Sequence, residues 1–598
     1  MSRWLLIGLI IGVPIIFDPE AQGLYDIPKL CFMFGLSILG GLLFLIEQVK
    51  NKKFQFRWGI LEILIILYLL ANIISTFLSI SPTLSIFGLY RRYDGINTLA
   101  CYILIFFITA NIDKPKSIIY AILIAGFISA FYGILQRFGV FIIPSGFGSE
   151  RPCGFFGNPN FLSGYLLLVF PISLCLWLKE KRYIYGILSI TIVLCILFTK
   201  TRGAFIGLIG ELIFLSILFR RREIFYFLGI FLLIFLSFGI PVIKRLPSPD
   251  IARIGLWKGA FSVFLKHPVF GTGPECLNQA FAKNVPDEFV EEYKGAFVFA
   301  DKAHNEFLDI LATRGMVIFI LWIFILAYVF KIGFFCKDKV WTIPILSSMV
   351  GYLIQAQFNL SYFSMTHLLW VMIGLIGGTM PKKTIKMKYI KILIFLSSLL
   401  TLISFWHIIC FFLGDRMFHK AIISSNPTFY EHAIKLNKWE IEYKKQFAEF
   451  LLNSGKLDEA EKVLEKAFLV TDKEPKLWFL LARLNEEKNP SKAISFYEKT
   501  ISLSPHWAEP YNNIAIIFAK KNDYKNAEYF FKKAFYLNKN SYKENLVLLY
   551  KQMLYSAYKE RNQEELDVIS KKLSLIEQED SLNTEEECKI KLEEVNGY

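Results

Sequence analysis

Arginine, histidine and asparagine cluster in four short stretches of this chain, each at the mouth of an apolar run. Between Ile251 and Gly315 the sequence reads ARIGLWKGAFSVFLKHPVFGTGPECL and, after a polar stretch, HNEFLDILATRG. Arg253 and Trp257 there stand one helical turn apart, HPVFGTG makes a tight turn, and His304 and Asn305 open an amphipathic helix. Upstream, GFFGNPNFLSGYL opens one apolar run with Asn158 and Asn160, TKTRGAFIGL opens another with Arg202, and GLYRRYDG carries Arg91 and Arg92. A guanidinium binds phosphate through paired hydrogen bonds, so arginine serves where no metal neutralises an oxyanion. An imidazole takes up a proton near neutral pH without special tuning. The chain has no GxxxxGKS or GxxxxGKT loop, no GxGxxG and no CxxC, and its carboxylates lack metal-ligand spacing. Neither a nucleotide cradle nor a metal centre is therefore expected.

Each of these residues also has a structural reading. Arg202, Arg91 and Arg92 suit helix ends anchored among headgroups. Asn158 and Asn160 flank a proline at a helix start, where capping explains them nearly as well as substrate contact, and His304 also suits a cap. His267, beside Pro268, reads as a turn residue, and His367 and His407 as satisfied core residues. The acidic run Asp287, Glu288, Glu291 and Glu292 reads as solvated surface. Glu211 lies inside an apolar run, so it must face a bundle interior and is a secondary site candidate.

The elements that position these residues are set by composition. Of 598 residues, 54% are hydrophobic and 20% charged, a balance that calls for lipid. Helices of about 20 apolar residues cross a bilayer. Candidate spans run 4–17, 30–46, 60–80, 96–110, 117–136, 155–178, 183–198, 203–219, 224–243, 316–335, 341–360, 365–379 and 390–413, thirteen in all. The apolar first run lacks a cleavage site and reads as a span, not a secretion signal. The net charge of +15 lies wholly before residue 416, because the remainder holds 29 basic and 29 acidic residues. Short loops on one side hold twenty-one Lys and Arg, those on the other seven, which puts the N-terminus in the cytoplasm. The charge is thus a positive-inside bias, not a nucleic-acid footprint. The long loop 244–315 and all four polar stretches then face outward. Nine scattered cysteines read as packing residues, although Cys153 and Cys276 both fall in outer loops where a pair is conceivable.

After residue 415 a period near 34 residues resembles tetratricopeptide repeats. Ala460, Ala493 and Ala527 fall in register, as do Ala467, Thr500 and Ala534, with Tyr443, Trp478 and Tyr511 filling gaps and Pro475 and Pro510 closing units. Residues 1–415 form the membrane domain, 416–575 the repeats with capping helices from Asn545 to Leu575, and 576–598 an acidic tail expected to be disordered. The expected fold is all-α: a polytopic helical membrane bundle followed by a helical-repeat domain.

The four polar stretches, in this order and on this topology, resemble the O-antigen ligase superfamily. The resemblance covers the membrane body, most firmly Arg151 to Gly315. It implies a bundle like that of C-type glycosyltransferases and a glycan donor on undecaprenyl diphosphate in the inner (cytoplasmic) membrane. It further implies an inverting, metal-independent transfer with no cofactor. His304 matches the family histidine, the base for an acceptor hydroxyl, while Arg202 and Arg253 match the arginines that hold the diphosphate. Asn158, Asn160, Asn305 and Arg92 complete the expected substrate contacts. The acceptor is a lipid, glycan or protein hydroxyl, which leaves ligase, polymerase and protein O-oligosaccharyltransferase open, and the repeats are expected to recruit an acceptor or protein partner. Two other classes remain: a transporter or flippase, which the absence of inverted internal symmetry disfavours, and a scaffold in which the repeats act alone.

The charge pattern makes a direct prediction. A reporter fused after Leu575 should behave as extracytoplasmic and one fused after Arg222 as cytoplasmic; two cytoplasmic readings would overturn the thirteen-span topology.

Overall fold

The computed structural model describes residues 1–50, 55–113, 115–143, 148–219, 222–234, 250–286, 289, 296, 300–384 and 390–578. The acidic run at 287–292 and the acidic tail past 578 lie outside these residues. The described chain is helical, with one antiparallel ribbon pairing Gln55 with Thr384 and Arg57 with Lys382. That ribbon had no counterpart in the sequence reading, since three-residue strands leave no alternation to detect.

Each of the thirteen expected spans overlaps a helix, that at 224–243 over 224–234, the part that lies among the described residues. Seven are long and apolar enough to cross a membrane: Ile27–Lys50, Ile60–Phe77, Pro115–Arg137, Pro159–Glu180, Arg202–Phe219, Glu306–Phe335 and Lys391–Ser424. Ser2–Gly12, Ile96–Ala110, Tyr183–Thr199 and Phe363–Gly377 are shorter apolar helices. Pro159–Glu180 is the bundle's centre, with 94% of its most apolar window buried, whereas Lys391–Ser424 has 6% buried and turns its apolar side chains outward. Such a surface is stable only against lipid. Glu211 faces inward as expected, fully buried, with its carboxylate packed against Gly351 of the helix Lys339–Ala356. His367 is buried and its Nδ1 lies 3.0 Å from the Phe363 carbonyl, but His407 is exposed rather than a core residue.

The helix Glu306–Phe335 is two helices joined across a kink at Gly315, whose φ of 78° and ψ of 178° are not helical. The break leaves backbone groups that need partners. The HPVFGTG stretch supplies them: the N–H groups of Met316 and Val317 donate to the carbonyls of Pro268 and Val269 at 2.8 and 3.3 Å. In return Thr272 and Gly273 donate to Ala312 and Thr313 at 3.2 and 2.8 Å. On its other side the same stretch is fastened to the end of Ile60–Phe77, where Ser75 Oγ donates to the Phe270 carbonyl at 2.7 Å. The approach is so close that a Cβ on Gly315 would sit 2.3 Å from the Val269 carbonyl oxygen. The tight turn read from the sequence is therefore the splice for a broken helix.

The chain divides into two compact units, one holding Met1–Asn284 and Ala300–Lys473, the other Val285–Phe299 and Glu474–Tyr598. In the second, the helix pairs Pro475–Asn485 with Pro490–Leu503 and Ala508–Lys520 with Tyr524–Leu537 are followed by Lys539–Lys559 and Gln563–Gln578. Ala493, Thr500, Ala527 and Ala534 are fully buried, the small residues at which paired helices touch. Pro475 opens its helix at the first turn and Pro510 lies in the first turn of the next, so both prolines start repeat units instead of closing them. Ala460 and Ala467, of the first repeat, are fully buried within the first unit.

Gly315→Ala should lower stability by roughly 1–3 kcal/mol, because a left-handed backbone and a blocked Cβ both oppose it. Thermal unfolding in lipid nanodiscs measures this, with Gly229→Ala, which meets no neighbour within 4 Å, as the neutral control.

Candidate active site

A narrow cavity opens where the turn 301–305 meets the start of Glu306–Phe335. Asp94, Lys302, His304, Asn305, Glu306, Asp309 and Arg314 line its polar side, and Tyr68, Tyr102, Trp322 and Trp370 its aromatic side. Its volume is about 50 Å³, room for a few waters and not for a sugar ring, so a substrate must lie across its mouth.

The cavity wall is a network of charges. Lys302 is 5% exposed and pairs with Glu275, with Asp309 at 3.3 Å and with Asp94 at 3.7 Å. Burial works against its charge, but Asp309, Glu275 and Asp94 outweigh it and hold the ammonium above its usual range. Burial also raises the Asp94 carboxyl, and Lys302 and Arg314 oppose that rise. Arg314 reaches the Asp94 backbone and carboxylate at 3.1 and 3.3 Å. Asp309 accepts from the Ala303 N–H at 3.0 Å, and Glu275 from the Leu89 N–H at 3.1 Å. The loop at Asp94, the turn at Glu275 and the helix start at Asp309 thus converge on the residues just before His304.

His304 itself is part-buried and sits at a positive φ of 50°, an uncommon backbone state for histidine. Burial lowers its pKa from the ordinary value; the charges of Arg253 and Arg92 push the same way, and Asp301 and Asp309 push back. The imidazole is therefore neutral at pH 7, a proton acceptor beside two cations. Arg92 is fixed by Asp301, its Nε donating at 2.6 Å; burial opposes its charge, and Asp301 more than compensates. Arg253 lies on the helix Asp250–Lys266.

Arg202 belongs to a second cluster. It opens the helix Arg202–Phe219, directly after Thr201, whose hydroxyl donates to Asn160 Oδ1 at 3.2 Å. Asn160 also offers its backbone carbonyl to Gln355 Nε2 at 3.2 Å. Asn158 Oδ1 caps Pro159–Glu180 by accepting from the Asn160 N–H at 2.8 Å, and Asn305 Oδ1 caps the next helix by accepting from the Leu308 N–H at 3.0 Å. One acceptor of each is thus engaged in capping. Between the clusters Phe161 stacks on Tyr362 at 4.4 Å, and the Tyr362 hydroxyl donates to Asp26. The charges of Arg92 and Arg253 thus act on His304, those of Asp26 and Tyr362 act on Arg92, and Asn158 and Asn160 are tied to the chain at Thr201, the residue before Arg202.

Lys302, Asp309, Arg314, Asp94, Glu275 and Asp301 had not been singled out as site residues. The available signal was local: five of them lie within two residues of the quoted stretches or inside them, and HNEFLDILATRG places Glu306, Asp309 and Thr313 on one helical face. Cys153 and Cys276 are both free and buried, so the conceivable disulfide is absent. Among the described residues no group of His, Cys, Asp and Glu is arranged to hold a metal ion.

Residues 187–323, which include Arg202, Arg253 and His304, match the family model described as O-antigen ligase, and residues 508–541 match the tetratricopeptide repeat model. The chain thus carries apolar, membrane-length helices, a segment similar to O-antigen ligase and, after it, a segment similar to the tetratricopeptide repeat. No curated protein matches it. Among solved structures, it is similar to a crystal structure of MamA at 15% identity and a TM-score of 0.23, over 28% of this chain and 95% of that one. A crystal structure of MamA protein gives 15% and 0.24, over 30% and 97%. The C-terminal part of a TPR repeat-containing protein from Cytophaga hutchinsonii gives 18% and 0.24, over 34% and 84%. Scores this low carry no argument.

Lys302→Met should destabilise the protein by roughly 3–5 kcal/mol, since it strands buried carboxylates without their cation. Adding Glu275→Gln should recover part of the loss, a coupling that a double-mutant cycle of unfolding in nanodiscs would measure.

Proposed function

We propose that this chain transfers a glycan from a polyprenyl-diphosphate donor, undecaprenyl diphosphate in the resemblance, to an acceptor hydroxyl on the outer face of the cytoplasmic membrane. The observation that carries the reading is His304, kept neutral between Arg92 and Arg253 at a cavity mouth, inside the segment that matches O-antigen ligase. Arg253 and Arg202 hold the diphosphate and offset the charge that grows on it as the glycosidic bond breaks. His304 takes the proton of the attacking hydroxyl, and the new bond forms with inversion. Arg92 and the amide groups of Asn158, Asn160 and Asn305 orient the donor. No cofactor enters, and lipid supplies the donor's approach. The two-cluster layout suits a long substrate, with the diphosphate bridging from Arg202 toward Arg253. The domain division follows: residues 1–415 perform transfer, and 416–575, extracytoplasmic by the charge pattern, receive an acceptor or partner.

The assay is transfer by purified protein in nanodiscs from a lipid-diphosphate glycan. His304→Ala should lower turnover by about two to four orders of magnitude. Arg202→Ala should also weaken donor affinity, and Arg202→Lys should restore it only in part, since lysine lacks the bidentate fork. Activity should survive a strong chelator. Because the folded pKa of His304 is lowered, the base stays competent as pH falls through neutrality, and the acid limb of kcat/KM should inflect below about 6.5. Wild-type transfer in His304→Ala, or loss on chelation reversed by a divalent ion, would defeat this mechanism. Glycan profiling of lipid, protein and polymer fractions with and without the gene then names the acceptor.

A further inference from the structure

The loop that carries Arg91 and Arg92 is held in an unusual conformation. Arg91 and Tyr93 both have positive φ, 67° and 50°, in a region disfavoured for bulky side chains. Such states persist only when their surroundings over-determine them. The determinant here is Asp415, fully buried near the end of the helix Ile390–Ser424. Its Oδ1 accepts from the Tyr90 hydroxyl at 2.8 Å and from the Tyr443 hydroxyl at 3.2 Å, and its Oδ2 from the Gly23 N–H at 2.8 Å. Tyr443 belongs to the helix Ile441–Asn453, in the first repeat. Aromatic rings close around the carboxylate: Tyr90 meets Tyr443 at 5.9 Å and Phe418 at 6.1 Å, and Tyr93 meets Phe411 at 5.2 Å. A second tie runs from Arg91 Nη2 to the Gln22 carbonyl at 2.9 Å, with His419 Nδ1 2.9 Å from the Gln22 side-chain oxygen.

We infer that Asp415 is a positioning residue: by sharing its carboxylate between Tyr90 and Tyr443 it makes the first repeat helix part of what holds Arg92 beside His304. A charged acceptor with two hydroxyl donors and one amide donor on it is a strong, directional joint in a dry site. Arg92 lies two residues from Tyr90, so freeing the tyrosine frees the strained turn. The first repeat is thereby a structural part of the reaction centre and not a detachable receptor, with Tyr443 at the joint.

This rests on His304 being the transfer site, and the test separates the two. Full-length protein in nanodiscs is digested briefly with trypsin, and cleavage after Arg91 or Arg92 is timed against cleavage after Lys473, which reports general loosening. Asp415→Leu should accelerate the loop cut about tenfold or more without moving the Lys473 cut, and Asp415→Asn, which keeps an acceptor, about threefold or less. In the transfer assay Asp415→Leu should raise donor KM about tenfold while kcat stays within about threefold. Tyr443→Phe, which keeps the ring and removes only the hydroxyl, should fall between Asp415→Asn and Asp415→Leu in loop cleavage. Unchanged loop cleavage in Asp415→Leu, or equal acceleration of both cuts, overturns the inference, as does a fall in kcat at constant KM. If wild-type protein transfers no glycan, the transfer reading fails, and the digest alone decides the joint.

Discussion

A buried ammonium organises the site. Lys302 lies away from solvent two residues before His304, and a charge there is tolerable only if carboxylates surround it. Those carboxylates come from the loop at Asp94, the turn at Glu275 and the helix at Asp309, so satisfying one cation draws three separate elements to a point. Arg314 repeats the logic from the opposite side of Asp94. Glu275 and Asp309 also each hold a backbone N–H, which converts charge balance into fixed chain direction. The imidazole is placed by these constraints before it makes any contact of its own.

The second organising feature is the break at Gly315. A continuous helix from Glu306 to Phe335 would run the amphipathic segment straight on from the apolar one. The interruption lets Glu306–Arg314 face a polar cavity while Met316 onward is apolar, and the HPVFGTG stretch restores the hydrogen bonds that the interruption removes. Because the stretch is also tied to Ser75, the end of Ile60–Phe77, the broken helix and the turn carrying Glu275 move as one body.

Much of this was legible in the sequence, for definite reasons. Apolar runs report helices in lipid because the bilayer sets their length, and the expected spans fell on helices from Ser2–Gly12 to Ile390–Ser424. The alanines of the repeats were readable because helix pairs admit only small residues at their crossing. Arg253 and His304 were recognisable by type and by neighbouring residues. Lys302, Glu275 and Asp94 were not, because a buried ion pair depends on proximity between separate elements, which carries no local period. Asp415 was missed for a related reason: at the end of an apolar helix it reads as the start of the soluble tail, and only Tyr90 and Gly23, over 300 residues away, reveal it as interior. The ribbon at Gln55–Arg57 was too short to leave a pattern.

The helix Ile390–Ser424 is a single rod of 35 residues. At 1.5 Å per residue it measures roughly 50 Å, against the roughly 30 Å of a bilayer's hydrocarbon layer. The surplus is a stiff mast of several turns, and Asp415 lies on it, past the apolar stretch that ends near Leu413. A flexible tether would let whatever grips the first repeat wander over a broad volume, diluting it at the reacting hydroxyl. A mast sets a height instead, so that the distance between the bilayer surface and anything seated on Ile441–Asn453 is a built-in length, adjustable in evolution by adding or deleting helical turns.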